Sequence, residues 1–249
     1  MIAQQHTTRG QSEVLGYIVT FSVIFLAIGS IYVSGVASLE THQASAELNN
    51  AEQAMFVFAD NVDDIVQHES PRRSVEMKTT DSSVGTTPRH NVTVSVDGAE
   101  QLNTSIRGFA YRGEAGDIVY ESGAIIRTQD GGVMMQRAPP LKFTDERVIL
   151  NVVRLAGEDS YQGSGTSLTV LERAISRSST EIITPGSDVP VTIRLDTAPK
   201  RAPAWRTYFE EQGLTQVTYD PDAGIVEYEY SATDQVLVRE SFLWVYIEE

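Results

Sequence analysis

No charged residue lies between Glu13 and Glu40, and the 26 residues from 14 to 39 are mostly apolar. As an α-helix this apolar segment would be about 39 Å long at ~1.5 Å per residue, and the hydrocarbon core of a bilayer is about 30 Å thick. A helix in a soluble domain seldom runs that far without a charge, because one of its faces normally meets water. The segment therefore predicts a membrane-spanning helix, and the residues after it are enough for one sizeable domain.

Three fates of this helix are compatible with its composition. A cleaved secretory signal has an apolar run of about 7–15 residues before a small-residue cleavage site, so this segment is long for one. Gly35-Val36-Ala37 is only a passable cleavage site. An uncleaved signal anchor requires nothing beyond the apolar segment. A prepilin-type signal is cut on the cytoplasmic side before the helix, which then stays in the mature protein. Arg9 is the single basic residue before the segment and favours a cytoplasmic N-terminus.

The residues in front of the segment favour the prepilin-type signal. Their order is Arg9-Gly10-Gln11-Ser12-Glu13-Val14-Leu15-Gly16. This order resembles the processing site of haloarchaeal type IV pilins and archaellin-like proteins, which is a class III prepilin signal. The resemblance implies cleavage between Gly10 and Gln11 by a prepilin peptidase, with Gln11 as the mature N-terminus. It also implies contacts with other pilin-like subunits through the N-terminal helix. The leader departs from many relatives in carrying only one basic residue.

Glu13 would be the third residue of the mature protein, at the edge of the membrane. A carboxylate there is suited to pairing with the new α-amino group of a neighbouring subunit during assembly, because an unpaired charge near hydrocarbon is costly. The alternative is that Glu13 stabilises the first turn of its own helix, where the helix dipole favours a negative charge. Both roles stay open at the level of sequence.

Beyond the apolar segment, the apolar residues recur in steps of three and four, which predicts an amphipathic continuation of the helix. This apolar stripe consists of Leu48, Ala51, Met55, Phe58, Val62 and Ile65. Ser70-Pro71 is a natural end point, because proline disfavours a helical conformation in the residue before it. The stripe has two alternative partners, which are compatible with each other: the chain's own head domain and a neighbouring subunit.

After a polar passage over residues 79–87 the pattern changes to the two-residue period of β-strands. Asp97-Gly98 and Asp130-Gly131 predict tight hairpin turns between such strands. Strand-like runs then recur at short intervals, and they are residues 91–96, 106–111, 118–121, 124–128, 133–136, 148–155, 167–171, 181–184, 189–195, 216–219, 225–230, 235–238 and 242–247. One short helix is predicted at residues 203–212, and the aromatic strand at 242–246 is expected to be central or well covered.

These patterns predict an α+β fold, in which a long N-terminal transmembrane and stalk helix is followed by an antiparallel β-sandwich-like head domain. The expected organisation is a leader at residues 1–10, a transmembrane helix at 11–39, an amphipathic stalk helix at 40–70, a linker at 71–87 and a β-rich extracellular head at 88–249.

Composition narrows the function. The net charge is −15, and only three of the 19 basic residues are lysines, a balance typical of a salt-adapted surface and unsuited to binding nucleic acid. There is no cysteine, and no histidine follows His90. These absences remove Cys nucleophiles from the chain, and Ser-His-Asp triads and His-rich metal sites from the part of the head after His90. We therefore expect no enzyme activity, cofactor or metal. Residues 220–224 (Asp-Pro-Asp-Ala-Gly) favour a turn over a calcium site.

Two sequons, Asn91-Val92-Thr93 and Asn103-Thr104-Ser105, make Asn91 and Asn103 candidate N-glycosylation acceptors near strand ends or turns of an exported head. The function expected from these features is that of a pilin-like surface protein, as a minor subunit or accessory of a filament. The alternative is a stand-alone membrane-anchored binding domain, and an extracytoplasmic enzyme is the weakest hypothesis.

Overall fold

The computed structural model describes residues 8–67, 72–157, 160–173, 178–184, 189–231 and 234–248. These residues contain two helices and fifteen strands. The helices are α1 Thr8–Gln67 and α2 Ala202–Glu211. The strands are β1 Arg72–Thr86, β2 His90–Val96, β3 Ala99–Ile106, β4 Phe109–Gly113, β5 Gly116–Glu121, β6 Ala124–Gln129, β7 Gly132–Arg137, β8 Leu141–Phe143, β9 Arg147–Ala156, β10 Ser160–Arg173, β11 Ser179–Ile183, β12 Val191–Asp196, β13 Thr215–Asp220, β14 Ile225–Tyr230 and β15 Gln235–Glu248. The chain divides into two units, Met1–Ser45 and Ala46–Glu249.

Ten strands form the large sheet, in the order β7-β6-β5-β4-β1-β10-β15-β9-β8, with β11 paired to β15 beside β10. Every neighbouring pair is antiparallel except β9 and β15, which run parallel. Strand β15 lies inside the sheet, because β9 covers one of its edges while β11 and β10 share the other. The prediction that the aromatic C-terminal strand is central is therefore confirmed.

The small sheet has five strands in the order β13-β14-β12-β2-β3, all antiparallel. Asp97 and Gly98 join β2 to β3 with φ angles of 51° and 73°, and Asp130 and Gly131 join β6 to β7 with 51° and 77°. Two consecutive positive φ angles are the conformation that a two-residue hairpin turn requires, and Asp-Gly adopts it readily. Both predicted hairpins are confirmed.

Two hydrophobic cores lie on opposite faces of the large sheet. The inter-sheet core fills the space between the two sheets and includes Trp205, Tyr208 and Phe209 of α2. The helix core lies between the other face of the large sheet and residues 48–66 of α1. Side chains alternate between the two faces of a strand, and β9 supplies both cores: Val148, Leu150 and Val152 belong to the first core, and Val153 and Leu155 to the second.

The α+β class and the sheet-on-sheet head are confirmed, and so is the short helix predicted at 203–212, observed as α2. Three of the predicted strand runs had the wrong extent. The run 106–111 is broken at Gly108, where the chain passes from β3 of the small sheet to β4 of the large sheet. A Cβ atom at Gly108 would lie 2.5 Å from the Tyr120 carbonyl oxygen, so this close passage requires glycine. The runs 235–238 and 242–247 form the single strand β15.

The predicted boundaries between stalk, linker and head were also wrong. Residues 72–86 of the expected linker form β1, which pairs with β10 along most of its length and with β4 at its end. Its polar residues Thr79 and Ser82 are buried and lie opposite Gly165 and Gly163 of β10, so this polar stretch is part of a sheet rather than a linker. The domain also begins at Ala46 rather than at residue 88, since α1 residues supply one of its cores. The predicted helix end at Ser70-Pro71 lies outside the described residues.

Candidate functional site

The apolar segment (residues 14–39) is the first candidate functional element, and it lies in the unit Met1–Ser45. The helix Val14–Gln67 is long and apolar enough to cross a membrane, and none of its most apolar 18-residue window is buried. Every side chain described between 14 and 39 is exposed, with Tyr17 at 79% and Leu26 at 73% of the full accessible area. Side chains of this kind require lipid or other apolar helices around them, because water solvates them poorly.

Residues 48–66 of α1 behave in the opposite way. All six members of the apolar stripe are buried. Phe58 is fully buried, with its ring stacked on Phe109 at a centroid distance of 4.8 Å and set edge-on to Tyr120 at 5.1 Å. The stripe thus packs on the chain's own large sheet, which was one of the two alternatives left open by the sequence. It has no free surface for a neighbouring subunit.

The burial of this stripe is strong enough to make the helix part of the domain. Its five large members are each at most 1% exposed, and a fully buried side chain of this size contributes about 1.5–3 kcal/mol. Together they contribute about 7.5–15 kcal/mol as an upper estimate, which is comparable to the whole free energy of unfolding of a typical domain. Residues 48–66 therefore do not leave the sheet while the domain stays folded.

Ion pairs between α1 and the strands β6 and β7 fix the position of this part of the helix. Arg127 on β6 donates to Glu52 at 2.6 Å, and Arg137 on β7 donates to Asp60 at 2.7 Å and to Asp63. Burial raises the pKa of Asp63 despite the opposing attraction of Arg137. Removal of Arg137 is therefore expected to raise that pKa further, since its charge is what favours the ionised carboxylate.

A buried polar cluster in the second unit joins β5 to α2. Glu121 accepts hydrogen bonds from Arg201 Nη2 at 2.7 Å, Arg201 Nε at 3.3 Å, Trp205 Nε1 at 2.8 Å and Thr197 Oγ1 at 2.8 Å. His90 Nε2 lies 3.5 Å from Arg201 Nη2. Burial acts to raise the pKa of Glu121, but the Arg201 charge and these hydrogen bonds outweigh it and hold the pKa below its ordinary value.

This cluster is a structural element rather than a reaction site. Glu121 is fully buried and its oxygens are occupied by donors, so no substrate reaches it. Burial lowers the pKa of His90, which favours the neutral ring next to Arg201. The cluster was not predicted, although one signal was present: Glu121 directly follows the apolar run Ile118-Val119-Tyr120, and a buried carboxylate requires a cationic partner.

Gly10 and Gln11, the predicted cleavage pair, and Glu13, the predicted assembly residue, all lie within the backbone of α1. Their side chains are outside the described set, so both roles proposed for Glu13 stay predictions. Residues 1–7 of the predicted leader also lie outside the described residues.

The two sequons are side by side on the β2–β3 hairpin, an arrangement that the sequence did not reveal. Asn91 is paired with Ser105 and Thr93 with Asn103, so the two asparagines are diagonal neighbours on the outer face of the small sheet. Both are exposed, and Asn103 Nδ2 donates to Glu100 at 3.0 Å. Asn91 lies near a strand end as expected, whereas Asn103 lies within β3.

The acidic turn at 220–224 forms through its own hydrogen bonds. Asp220 Oδ1 accepts from the backbone N–H groups of Asp222 at 3.1 Å and Ala223 at 3.0 Å, and Gly224 follows with a φ of 71°. Asp220 thereby closes a turn of the type that Asp and Gly favour. Across the described part of the chain, no three His, Cys, Asp or Glu residues are grouped as metal ligands would be.

Comparison with known proteins gives one match. Residues 9–245 fit a family model described as a family of unknown function (DUF7289), and the chain belongs to that family. The match includes the apolar segment as well as the strand-rich domain. No curated protein and no solved structure matches the chain.

Proposed function

We propose that this chain is a pilin-like, membrane-anchored surface protein that serves as a minor subunit or accessory of an archaeal type IV pilus-like filament. The observation that carries the proposal is the contrast between the two parts of α1. Residues 48–66 are covered by the domain's own sheet, whereas residues 14–39 are apolar and uncovered. Such a division suits a helix that is built into its domain at one end and surrounded by lipid or by neighbouring helices at the other.

This division limits which contacts an assembly can use. Because the apolar stripe is already buried, helix packing between subunits must involve the apolar segment. That segment contains Gly16, Gly29 and Gly35, and a Cβ at any of them would meet nothing within 4 Å. Small residues let helix backbones approach one another closely in a membrane. The partners proposed are therefore the membrane, a prepilin peptidase and other pilin-like subunits.

A cytoplasmic N-terminus and an extracellular domain follow from the proposal. Arg9 supports that orientation, and a salt-adapted surface with a net charge of −15 suits a domain displayed outside a haloarchaeal cell. The domain is proposed to be non-catalytic. The buried Glu121–Arg201 pair is inaccessible, and the only histidine in the described part of the unit Ala46–Glu249 is His90, which lies beside Arg201.

Processing is tested on protein purified from membranes of the native host or of a close haloarchaeal host. We expect the mature chain to begin at Gln11, and we expect Gly10→Asp to keep residues 1–10 because the bulkier charged residue blocks the peptidase. The matched control is Gly29→Ala, which changes a glycine of the apolar segment outside the processing-site motif and should leave cleavage unaffected. If wild-type protein and Gly10→Asp both keep the leader, the prepilin interpretation is wrong.

Assembly needs a separate test, since processing alone does not make a filament. A photo-crosslinking residue at Ile24, an exposed position of the apolar segment, is expected to give adducts with pilin-like chains in intact cells. The same residue at Val57, exposed on the domain part of α1, is the control and should give fewer adducts. Monomers alone from both positions would favour the second candidate, a stand-alone anchored binding domain. The burial of the apolar stripe is the observation in favour of that candidate, because it leaves the stripe no surface for a neighbouring subunit.

A further inference from the structure

The two sequons face each other across the β2–β3 hairpin, and the register of the strands joins them reciprocally. Asn91 is opposite Ser105, and Thr93 is opposite Asn103. Val92, the middle residue of the first sequon, is buried in the inter-sheet core, so its two neighbours lie on the outer face of the small sheet. The acceptor asparagine of each sequon therefore lies beside the hydroxyl residue of the other sequon.

This reciprocal register brings the two sequons too close together for independent modification. Residues directly opposite each other in an antiparallel pair have Cβ atoms about 4.5–5.5 Å apart. A sugar ring attached to the side-chain nitrogen of Asn91 would therefore cover the Ser105 hydroxyl. A sugar ring attached to Asn103 would cover the Thr93 hydroxyl in the same way. Since the hydroxyl residue is what makes an asparagine an acceptor, a glycan on either site removes a group that the other site requires.

The second sequon is held in this position by hydrogen bonds. Asn103 Nδ2 donates to Glu100 Oε2 at 3.0 Å. Thr104, the middle residue of the second sequon, is buried and donates to Glu240 Oε1 at 2.6 Å. Because Glu240 belongs to β15, this bond ties the second sequon to the large sheet. The folded domain therefore keeps the two sequons adjacent.

The hairpin also closes quickly compared with enzymatic transfer of a glycan. The turn at Asp97-Gly98 joins β2 directly to β3, so the hairpin closes without help from distant parts of the chain. A β-hairpin forms in about 1–10 μs. An enzyme with the typical turnover number of about 10 s⁻¹ needs about 0.1 s for one reaction. The two sequons are therefore brought together many times before a second transfer is complete.

We propose that the β2–β3 hairpin takes one N-linked glycan, on Asn91 or on Asn103, and that the first glycan excludes the second. In the transfer, the side-chain nitrogen forms a C–N bond with the anomeric carbon of a lipid-linked glycosyl phosphate. The bond from that carbon to the phosphate oxygen breaks, and the lipid phosphate leaves with one proton of the amide. The proposal rests on the export of the domain that the proposed function includes.

The test is the intact mass of the full chain, purified from a haloarchaeal host, before and after chemical deglycosylation. The mass of one glycan is measured separately on the modified peptide. The wild-type chain is expected to carry one glycan. Asn91→Gln and Asn103→Gln are each expected to carry one glycan as well, because removal of one acceptor leaves the other accessible.

The matched control separates the two acceptors in space. Gln216→Asn makes residues 216–218 a sequon with the same three residues as 91–93, and it is combined with Asn103→Gln. Gln216 is exposed on the edge strand β13, and β14 and β12 lie between that strand and β2. The control chain thus has two sequons that do not face each other, and it is expected to carry two glycans.

The possible failures of the proposal are distinguishable. Two glycans on the wild-type chain, or loss of all glycan in either single variant, would overturn the exclusion while supporting export of the domain. A single glycan on the control chain would also overturn the exclusion, since the limit would then not come from the register of the hairpin. A wild-type chain without any glycan would overturn the proposal too, and a control chain equally without glycan would then count against export itself.

Discussion

Replacing Phe58 with alanine tests whether the second part of α1 is a permanent part of the domain core. Phe58 is fully buried against Phe109 and Tyr120 on β4 and β5, and it belongs to the stripe that the sequence alone allowed to pack between subunits. If the stripe instead contacted other chains, the isolated monomer would lose little stability. The substitution thus separates the two alternatives in a single chain.

The expected loss is large. Truncation of a buried phenylalanine to alanine costs about 3–5 kcal/mol, because the lost burial adds to the cavity left behind. The two ring contacts favour the middle of that range, and we expect about 4 kcal/mol. A loss of this size lowers the ratio of folded to unfolded protein about a thousandfold, since ~1.4 kcal/mol corresponds to a factor of ten.

The measurement is urea denaturation of the full chain in detergent at monomeric concentration, followed by tryptophan fluorescence. With a denaturant slope of about 2 kcal/mol per M, the midpoint for Phe58→Ala should lie about 2 M below that of the wild-type chain. Val57→Ala is the matched control, because Val57 is the preceding residue of the same helix and is 50% exposed. We expect it to change stability by less than about 0.5 kcal/mol. Equal effects of the two substitutions would refute the packing described for α1.

Three further predictions concern the domain. The folded domain lowers the pKa of Glu121, so the contribution of this carboxylate to the free energy of unfolding should be complete above its ordinary pKa. This contribution should be lost as the pH falls from the ordinary pKa towards the lower pKa of the folded state. In Glu121→Gln the melting temperature should be lower at pH 7 and should lose less on acidification to pH 3; an unchanged acid profile would contradict this role. Gly224→Ala, at a φ of 71° with only 1.9 Å between the new Cβ and a carbonyl oxygen, should destabilise the domain by more than about 2 kcal/mol. Gly98→Ala has a similar φ but no atom within 4 Å of the new Cβ, so it should lower the free energy of unfolding by only about 1 kcal/mol in thermal denaturation of both variants. Equal losses of stability in the two variants would contradict the steric explanation. Deglycosylation of protein from a haloarchaeal host should lower its intact mass, and Asn91→Gln combined with Asn103→Gln should abolish the shift; an unshifted mass would exclude glycosylation.

Local chemistry explains which elements could be predicted. The apolar segment, the periodic stripe, both Asp-Gly turns and α2 each depend on residues close together in sequence, and each was found as predicted. Strand β1 was missed because its polar residues Thr79 and Ser82 resemble a linker in isolation. Only the long antiparallel pairing with β10, some 80–90 residues later in the chain, gives them a place inside a sheet. The parallel pairing of β9 with β15 also joins residues that are far apart in the chain, so it could not be predicted from the local sequence either.

The sites follow the same rule. The apolar helix could be predicted because it is one continuous segment. The Glu121 cluster could not, since Arg201 follows Glu121 by 80 positions. The sequons were visible, but their adjacency was not, because it depends on the register of β2 with β3.

The central claim is that residues 14–39 cross a membrane and leave the domain outside, and cysteine labelling tests it most directly. The chain has no cysteine, so Ala27→Cys and Thr218→Cys each introduce a single reporter, one in the apolar segment and one at an exposed edge strand. With a membrane-impermeant maleimide on intact cells, we expect Thr218→Cys to be labelled and Ala27→Cys to be labelled only after the membrane is dissolved in SDS. Equal labelling of both positions in intact cells, or protection of Thr218→Cys until lysis, would contradict the claim.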